Sequence, residues 1–360
     1  MDKGIKIAVI ALLKPSQVKY KVTPILLSDM VSQVVLFRKK KYSESHDKLI
    51  QYVLPAVFKV KPVYWIATPY YIAWKLRQFG TDLLLTYGFV PHAMFTFIIS
   101  KLLSIRYIYG QIDDNVIWLH KRQWGRPIVE KVLRNAYQIN VPGSVSRHYW
   151  ERYLSCKINL LHSTVDTDEY SPVAADIEFD FMYVGVLTKL KRVELLIEAI
   201  RVIVRKGFSL KLAVVGYGEQ MPKLQELVTS YDLEEFVVFL GEQKVDKYLL
   251  SKARIFCFAS ISEGLPCALI EAMSCKLVCV TTPVGNIPDI IVPGETGFFF
   301  DEAEPQKMAQ LMIYLSDNYN DLGDLRERAR RMVILNHSNR SAERKWNNIL
   351  RDYTNYNNCN

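Results

Sequence analysis

The chain has 360 residues, 50% of them hydrophobic and 23% charged, which excludes a disordered or fibrous protein and fits two globular domains of ordinary size. The net charge of +9 is unevenly placed: residues 1–150 hold 22 Lys and Arg against 8 Asp and Glu, and residues 151–360 hold 24 against 29. The basic half suits an anionic membrane surface or a phosphorylated lipid; it carries no recognised nucleic-acid motif, so no nucleic-acid partner is expected.

Short apolar runs at residues 5–12, 34–37, 82–86, 107–109 and 138–141 predict buried strands. Helix-length stretches at 71–79, 91–103 and 126–136 lie between them. Residues 144–153 have helical character, 160–162 form a brief strand candidate, and the polar, turn-rich segment 163–172 marks a domain boundary. The alternation then becomes cleaner. Strands are predicted at 179–185, 210–216, 236–240, 254–259, 277–281 and 298–300. Helices are predicted at 190–205, 220–230, 244–252, 267–274, 304–315, 322–332 and 341–353. Strands alternating with helices imply parallel sheets covered on both faces. In such sheets ligands bind beyond the carboxyl ends of the strands, so two of them in series predict a ligand cleft.

None of the six cysteines forms a Cys-x-x-Cys pair, so neither a disulfide framework nor a zinc site is expected, and a reducing compartment is. The N-terminus runs straight into a strand without a signal-peptide pattern. The most membrane-like stretch, 89–109, is interrupted by Pro91, His92, Lys101 and Arg106 and is not expected to span. Basic and aromatic residues interleave in 58–65, which fits either an interfacial patch or ordinary core with exposed lysines. The expectation is a cytoplasmic protein, peripheral at the inner face of the membrane.

The chemistry concentrates in residues 262–273. A loop acid, Glu263, precedes Pro266, a residue suited to the first position of a helix, and a second acid, Glu271, lies inside the helix. Leu265 offers no side-chain oxygen to cap that helix, so a phosphate could take the place of a cap. The same spacing equally describes a strand–helix turn with two solvated glutamates. Other candidates end strands: Gly185, followed by Lys189, Lys191 and Arg192; Gly216, followed by Tyr217 and Gly218; and Gly285 with Asn286. Glycine permits close backbone approach, and Lys191 can supply charge to a diphosphate.

Taken in order, these pieces resemble the family-four retaining glycosyltransferases of the GT-B fold. The resemblance rests on Ser163-Thr-Val-Asp166 with Tyr170 and Pro172, on Val184-Gly185 through Lys191 to Leu195-Leu-Ile-Glu-Ala199, and on Val215-Gly216-Tyr-Gly218. It continues through Ser262-Glu263-Gly264-x-Pro266, Glu271-Ala272, Pro283-x-Gly285 and Gly294-x-x-Gly297. It implies an α/β protein of two Rossmann-like, doubly wound parallel-sheet domains facing across a cleft. Residues 1–165 would bind the acceptor, residues 166–337 the nucleotide sugar, and a C-terminal helix within 338–360 would pack back on the first domain. Glu263 would hold hydroxyls of the transferred sugar, and Glu271 the ribose. The N–H groups near Leu265, Cys267 and Ala268 would face the diphosphate, with Lys191 neutralising it and Gly185, Arg192, Gly216, Gly264, Pro266 and Gly285 completing the donor site. Asp113 would serve the acceptor side or merely cap a turn; His92 and Gln111 are further acceptor-side candidates. The resemblance implies transfer with retention, no metal and no cofactor beyond the donor substrate, and a lipid-linked or oligosaccharide acceptor. The chain departs from the family at Val186, where Arg is usual, at Asn286 in place of a second glycine, and in lacking a Gly-Gly loop at 12–16. Those departures also fit a catalytically weak subunit that binds a nucleotide or a partner.

Overall fold

The computed structural model describes residues 4–11, 15–38, 45–112, 114–300 and 304–358. The chain forms two compact units, one built from residues up to Ser163 and from Asn339 onward, the other from Thr164 to Ser338. The first contains β1 (Ile5–Ile10), α1 (Pro15–Leu27), β2 (Val31–Arg38), β3 (Leu49–Val53), α2 (Lys61–Phe79), β4 (Leu83–Tyr87) and α3 (Met94–Leu103). It continues with β5 (Tyr107–Gly110), α4 (Asn115–His120), α5 (Arg126–Arg134), β6 (Gln138–Val141), α6 (Ser144–Glu151) and β7 (Lys157–Leu160). The second contains β8 (Phe179–Val184), α7 (Val193–Arg205), β9 (Leu212–Val215), α8 (Met221–Ser230), β10 (Val237–Gly241) and α9 (Lys247–Leu250). It is completed by β11 (Ala253–Cys257), α10 (Cys267–Ser274), β12 (Val278–Thr281), β13 (Phe298–Phe299), α11 (Pro305–Asp317) and α12 (Gly323–Asn336).

Each unit has one parallel sheet. The strand order is β3-β2-β1-β4-β5-β6-β7 in the first and β10-β9-β8-β11-β12-β13 in the second. Both orders reverse direction once, between β1 and β4 and between β8 and β11, which opens a crevice at the carboxyl ends of those strands. Full burial on both faces explains the uninterrupted apolar strands: Phe181, Met182, Tyr183, Ile255, Phe256 and Cys257 are all inaccessible. The helices pack one stripe onto the sheet. In α7 the buried residues Leu196, Ile197, Ile200 and Ile203 recur at three- and four-residue spacing, while Glu194 is half-buried and Arg205 exposed.

The last helix, α13 (Asn339–Asn358), belongs to the first unit. Trp346, Ile349, Leu350 and Tyr353 are each no more than 5% exposed and join the core formed by β1, β2, β4 and α1. Burial of each such side chain is worth about 1.5–3 kcal/mol. The Tyr353 hydroxyl donates to the Asp82 carbonyl at 2.6 Å, so this stripe is also tied to the start of β4.

Several elements differ from the sequence reading. β3 and α1 were not predicted: β3 is a half-exposed edge strand, and α1 contains Pro24. α2 begins ten residues before the expected start at 71, and accommodates Pro69 in its interior. Residues 58–65 are therefore the end of a 3-10 turn (Ala56–Lys59) and the opening of α2. The strand expected at 160–162 lies at Lys157–Leu160. The helix expected over 244–252 shrinks to α9, because Asp246 caps it by accepting from the N–H groups of Tyr248 and Leu249 at 3.1 and 3.0 Å. Leu12, Leu13, Lys14 and most of the basic run 38–41 lie outside the described residues.

Candidate active site

The candidate residues of the second unit gather at the carboxyl edge of its sheet, where β8 exits into Gly185, β9 into Gly216, β11 into the 258–265 loop and β12 into the 282–286 loop. Two glycines set how closely these exits approach. Gly216 has φ +136°, and a Cβ there would lie 1.9 Å from the Gly185 carbonyl oxygen. Gly285 has φ +58°, and its Cβ would lie 1.7 Å from the Glu263 carbonyl oxygen. Both positions exclude any side chain, because the atoms in the way are backbone.

The turn after β8 is fastened to the exit of β11. Lys191 ends a 3-10 turn (Lys189–Lys191), and Arg192 follows in a left-handed conformation at φ +47°. The Arg192 Nε donates to the Ala259 carbonyl at 2.7 Å, and the Ile261 N–H donates to the Leu190 carbonyl at 2.8 Å. This brings Lys191 Nζ into an ion pair with Glu263 Oε1. Ser260 Oγ donates to the same Oε1 at 2.7 Å, and the Ser260 carbonyl in turn accepts from Thr282 Oγ1 at 2.6 Å. The Glu263 side chain is only 9% exposed and that of Lys191 23%, so the pair is substantially shielded from water. Beneath it, the Tyr183 hydroxyl donates to the Val186 carbonyl at 3.2 Å. Burial, and secondarily the charge of Glu263, hold that hydroxyl protonated well above the usual tyrosine range.

α10 begins beside Glu263. Pro266 is its cap residue, with extended ψ of 126°, and Cys267 is the first helical residue; the sequence reading had placed Pro266 inside the helix. Pro266 supplies no capping side chain, so the positive end of the helix is not neutralised by its own cap. The loop leading into it is held by the Asn286 N–H, which donates to the Gly264 carbonyl at 3.0 Å, and by Leu265, which is buried. Glu271 lies on the second turn of α10 and is 5% exposed.

Gly185, Lys191, Arg192, Gly216, Glu263, Gly264, Leu265, Pro266, Cys267, Glu271 and Gly285 thus all belong to one sheet edge of the second unit. The acceptor-side candidates belong to the first unit. His92 lies in a short π-helical turn (Phe89–Ala93) directly after β4, and its carbonyl accepts from Thr96 Oγ1 at 2.8 Å. Gln111, directly after β5, is 3% exposed and its amide is engaged internally: Nε2 donates to Ser146 Oγ at 3.2 Å and to Asp114 Oδ1 at 3.3 Å, while Oε1 accepts from Trp150 Nε1 at 2.8 Å. Gln111 is therefore a node of the interior. Asp113 lies outside the described residues. Sequence reasoning missed Ser260; its signal was a hydroxyl three residues before Glu263, at the end of an otherwise apolar strand. Among the described residues no group of three His, Cys, Asp or Glu side chains is arranged to hold a metal ion, and no helix is long and apolar enough to cross a membrane.

Comparison with known proteins finds similar sequences and structures. Residues 166–332 match the family model described as glycosyl transferases group 1. Over 152 residues the chain is 31% identical to N-acetyl-alpha-D-glucosaminyl L-malate synthase of Bacillus anthracis, covering 42% of this chain and 40% of that protein. Over 206 residues it is 27% identical to the amylovoran biosynthesis glycosyltransferase AmsK of Erwinia amylovora, covering 54% and 50%. The chain thus spans about half the length, or less, of these curated relatives. The crystal structure of Anabaena HepE in complex with UDP and glucose covers 97% of this chain and 99% of its own, with a TM-score of 0.79 at 15% identity. The fold is the two-domain, Rossmann-like GT-B arrangement.

Proposed function

We propose that this chain, which matches the group 1 glycosyltransferase model over residues 166–332, belongs to that family and transfers a sugar from a nucleotide-diphospho-sugar to a lipid-linked or saccharide acceptor in polysaccharide or glycolipid assembly. One observation carries the reading: Lys191, Glu263 and the uncapped start of α10 converge where the second sheet reverses direction. A cation and a helix N-terminus favour a diphosphate, and a carboxylate fixed by Ser260 accepts hydrogen bonds from sugar hydroxyls. The family's retaining chemistry assigns the rest. The bond between the anomeric carbon and the phosphate oxygen breaks, and the positive groups stabilise the departing charge without a metal. The acceptor hydroxyl adds from the same face, and the leaving phosphate takes its proton. Glu271 holds the ribose, and the first unit presents the acceptor.

Relatives named for amylovoran and colanic acid synthesis support the pathway class, and UDP in the similar HepE structure supports a nucleotide-sugar donor. A thermal-shift screen of nucleotide sugars, followed by transfer assays and NMR of the product anomer, tests the reading. A donor that stabilises the protein and yields a product of unchanged anomeric configuration is expected; an inverted product overturns the retaining mechanism.

A second reading, a binding subunit of weak activity, is favoured by Val186. This residue stands where the family usually has Arg, it is 54% exposed, and the neighbouring Arg192 guanidinium is engaged by Ala259. Turnover by the purified chain alone would discard it.

A further inference from the structure

In the first unit, α2 is apolar on its outward face as well as on its inner one, unlike an ordinary surface helix. Its sheet-facing stripe holds Thr68, Ile72, Ala73 and Leu76, all buried. Its outward face carries Trp65, Ile66, Tyr70 and Trp74, which are 44%, 70%, 57% and 53% exposed. Outward positions of a helix are normally polar, so an apolar row four residues apart on that side calls for a partner. Val57 and Val60, each 55% exposed, extend the patch through the 3-10 turn before α2.

The charge around this face decides what covers it. Residues 48–81 contain five Lys and Arg and no Asp or Glu. Across 48–112, which also includes α3 packed on α2, the sole acid is Asp82, and its carboxylate accepts from the Lys6 N–H at 2.8 Å. Lys61 and Arg77 are exposed at the two ends of the apolar row. Lys75 Nζ lies 4.4 Å from the Trp74 ring centroid, keeping a cation at the edge of the face. Tryptophan and tyrosine flanked by cations suit the headgroup layer of an anionic bilayer, where an amphipathic helix lies in the plane. A soluble protein partner has no comparable need for an acid-free surround.

We propose that the outward face of α2, with the turn before it, docks the protein onto an anionic lipid surface. The turn follows β3 and so lies at the carboxyl edge of the first sheet, the edge that also carries His92 after β4. Docking there would present that edge to a lipid-borne acceptor. The inference stands on the first unit alone, so its failure would leave the donor reading intact.

The test is co-sedimentation of the full chain with phosphatidylcholine vesicles containing phosphatidylglycerol, and with phosphatidylcholine alone. Binding to the anionic vesicles is expected, weakened but not abolished by high salt. Ile66→Glu with Trp74→Glu should lower partitioning by roughly tenfold or more, and Lys61→Glu with Arg77→Glu by on the order of tenfold. All four positions are exposed, and circular dichroism would verify the fold. Brominated lipid should quench wild-type tryptophan fluorescence more than that of Trp74→Phe. Equal binding by folded variants, or no wild-type binding to either vesicle, would overturn the proposal. So would concentration-dependent dimerisation abolished by the same variants, which would make the face a contact between copies.

Discussion

Gly285→Ala isolates the close approach on which the site depends. The new Cβ would sit 1.7 Å from the Glu263 carbonyl oxygen, well inside the 3.0 Å below which real contacts essentially never occur. The Glu263 loop or the 282–286 loop must therefore move by more than about 1 Å, and a displacement of that size at a reacting centre costs up to about a hundredfold in rate. The left-handed backbone adds about 1–2 kcal/mol of strain. Gly294→Ala is the matched control: its φ is +76°, and nothing lies within 4 Å of the new Cβ. Gly294→Ala should lose about 1–2 kcal/mol of stability in urea titrations, and Gly285→Ala more, because the clash adds to the same backbone strain. Only Gly285→Ala should also lose donor affinity and about two orders of magnitude in kcat/KM. Near-wild-type donor binding and turnover in Gly285→Ala, or an equal functional loss in Gly294→Ala, would refute this account of the site.

Lys191→Ala removes the charge paired with Glu263 and should lower turnover by about 10²–10³-fold, read by transfer of labelled sugar; wild-type turnover would remove Lys191 from the chemistry. Gln111→Leu strips the Trp150 indole N–H of its acceptor and should cost about 2 kcal/mol of stability with donor affinity unchanged; an unaltered urea midpoint would sink the structural role. The first unit should weaken in acid in two stages. Burial holds His120 below its ordinary 6.5, outweighing the hydrogen bond and charge of Glu130, so its contribution is present above that value and lost as pH falls through the depressed pKa. The hydrogen bond from Arg126, aided by His120 and Arg134, holds Glu130 at about 2, so its contribution is complete above 4.5 and lost as pH falls towards 2. His120→Gln should flatten the upper stage in urea midpoints measured between about pH 7.5 and about pH 5, and an unchanged profile would refute the assignment.

The second unit was largely legible because each buried strand reads as an apolar run and each exit carries a glycine, a lysine or an acid. The spacing of Glu263 and Glu271 placed both around the start of α10, but could not reveal that Lys191, Ser260 and Glu263 meet, since contact across neighbouring strand ends leaves no local pattern. Gly285 was legible as permissive backbone; the carbonyl of Glu263 beneath it was not. In the first unit, β3 escaped because an edge strand with half-exposed residues lacks both a full apolar run and strict alternation. α2 extends ten residues before the expected 71–79 because Pro62 sits in its first turn and Pro69 is accommodated inside the helix. Gln111 entered as an acceptor-side candidate through the family resemblance, and only the tertiary fold places the Trp150 indole and Ser146 around it.

Calorimetric titration of the intact protein with a panel of nucleotide-diphospho-sugars addresses the central claim most directly. Saturable binding of one donor is predicted, weakened by Lys191→Ala and by Gly285→Ala and unaffected by Ile66→Glu with Trp74→Glu. Failure of every nucleotide sugar to bind, or binding indifferent to Lys191 and Gly285, would contradict it.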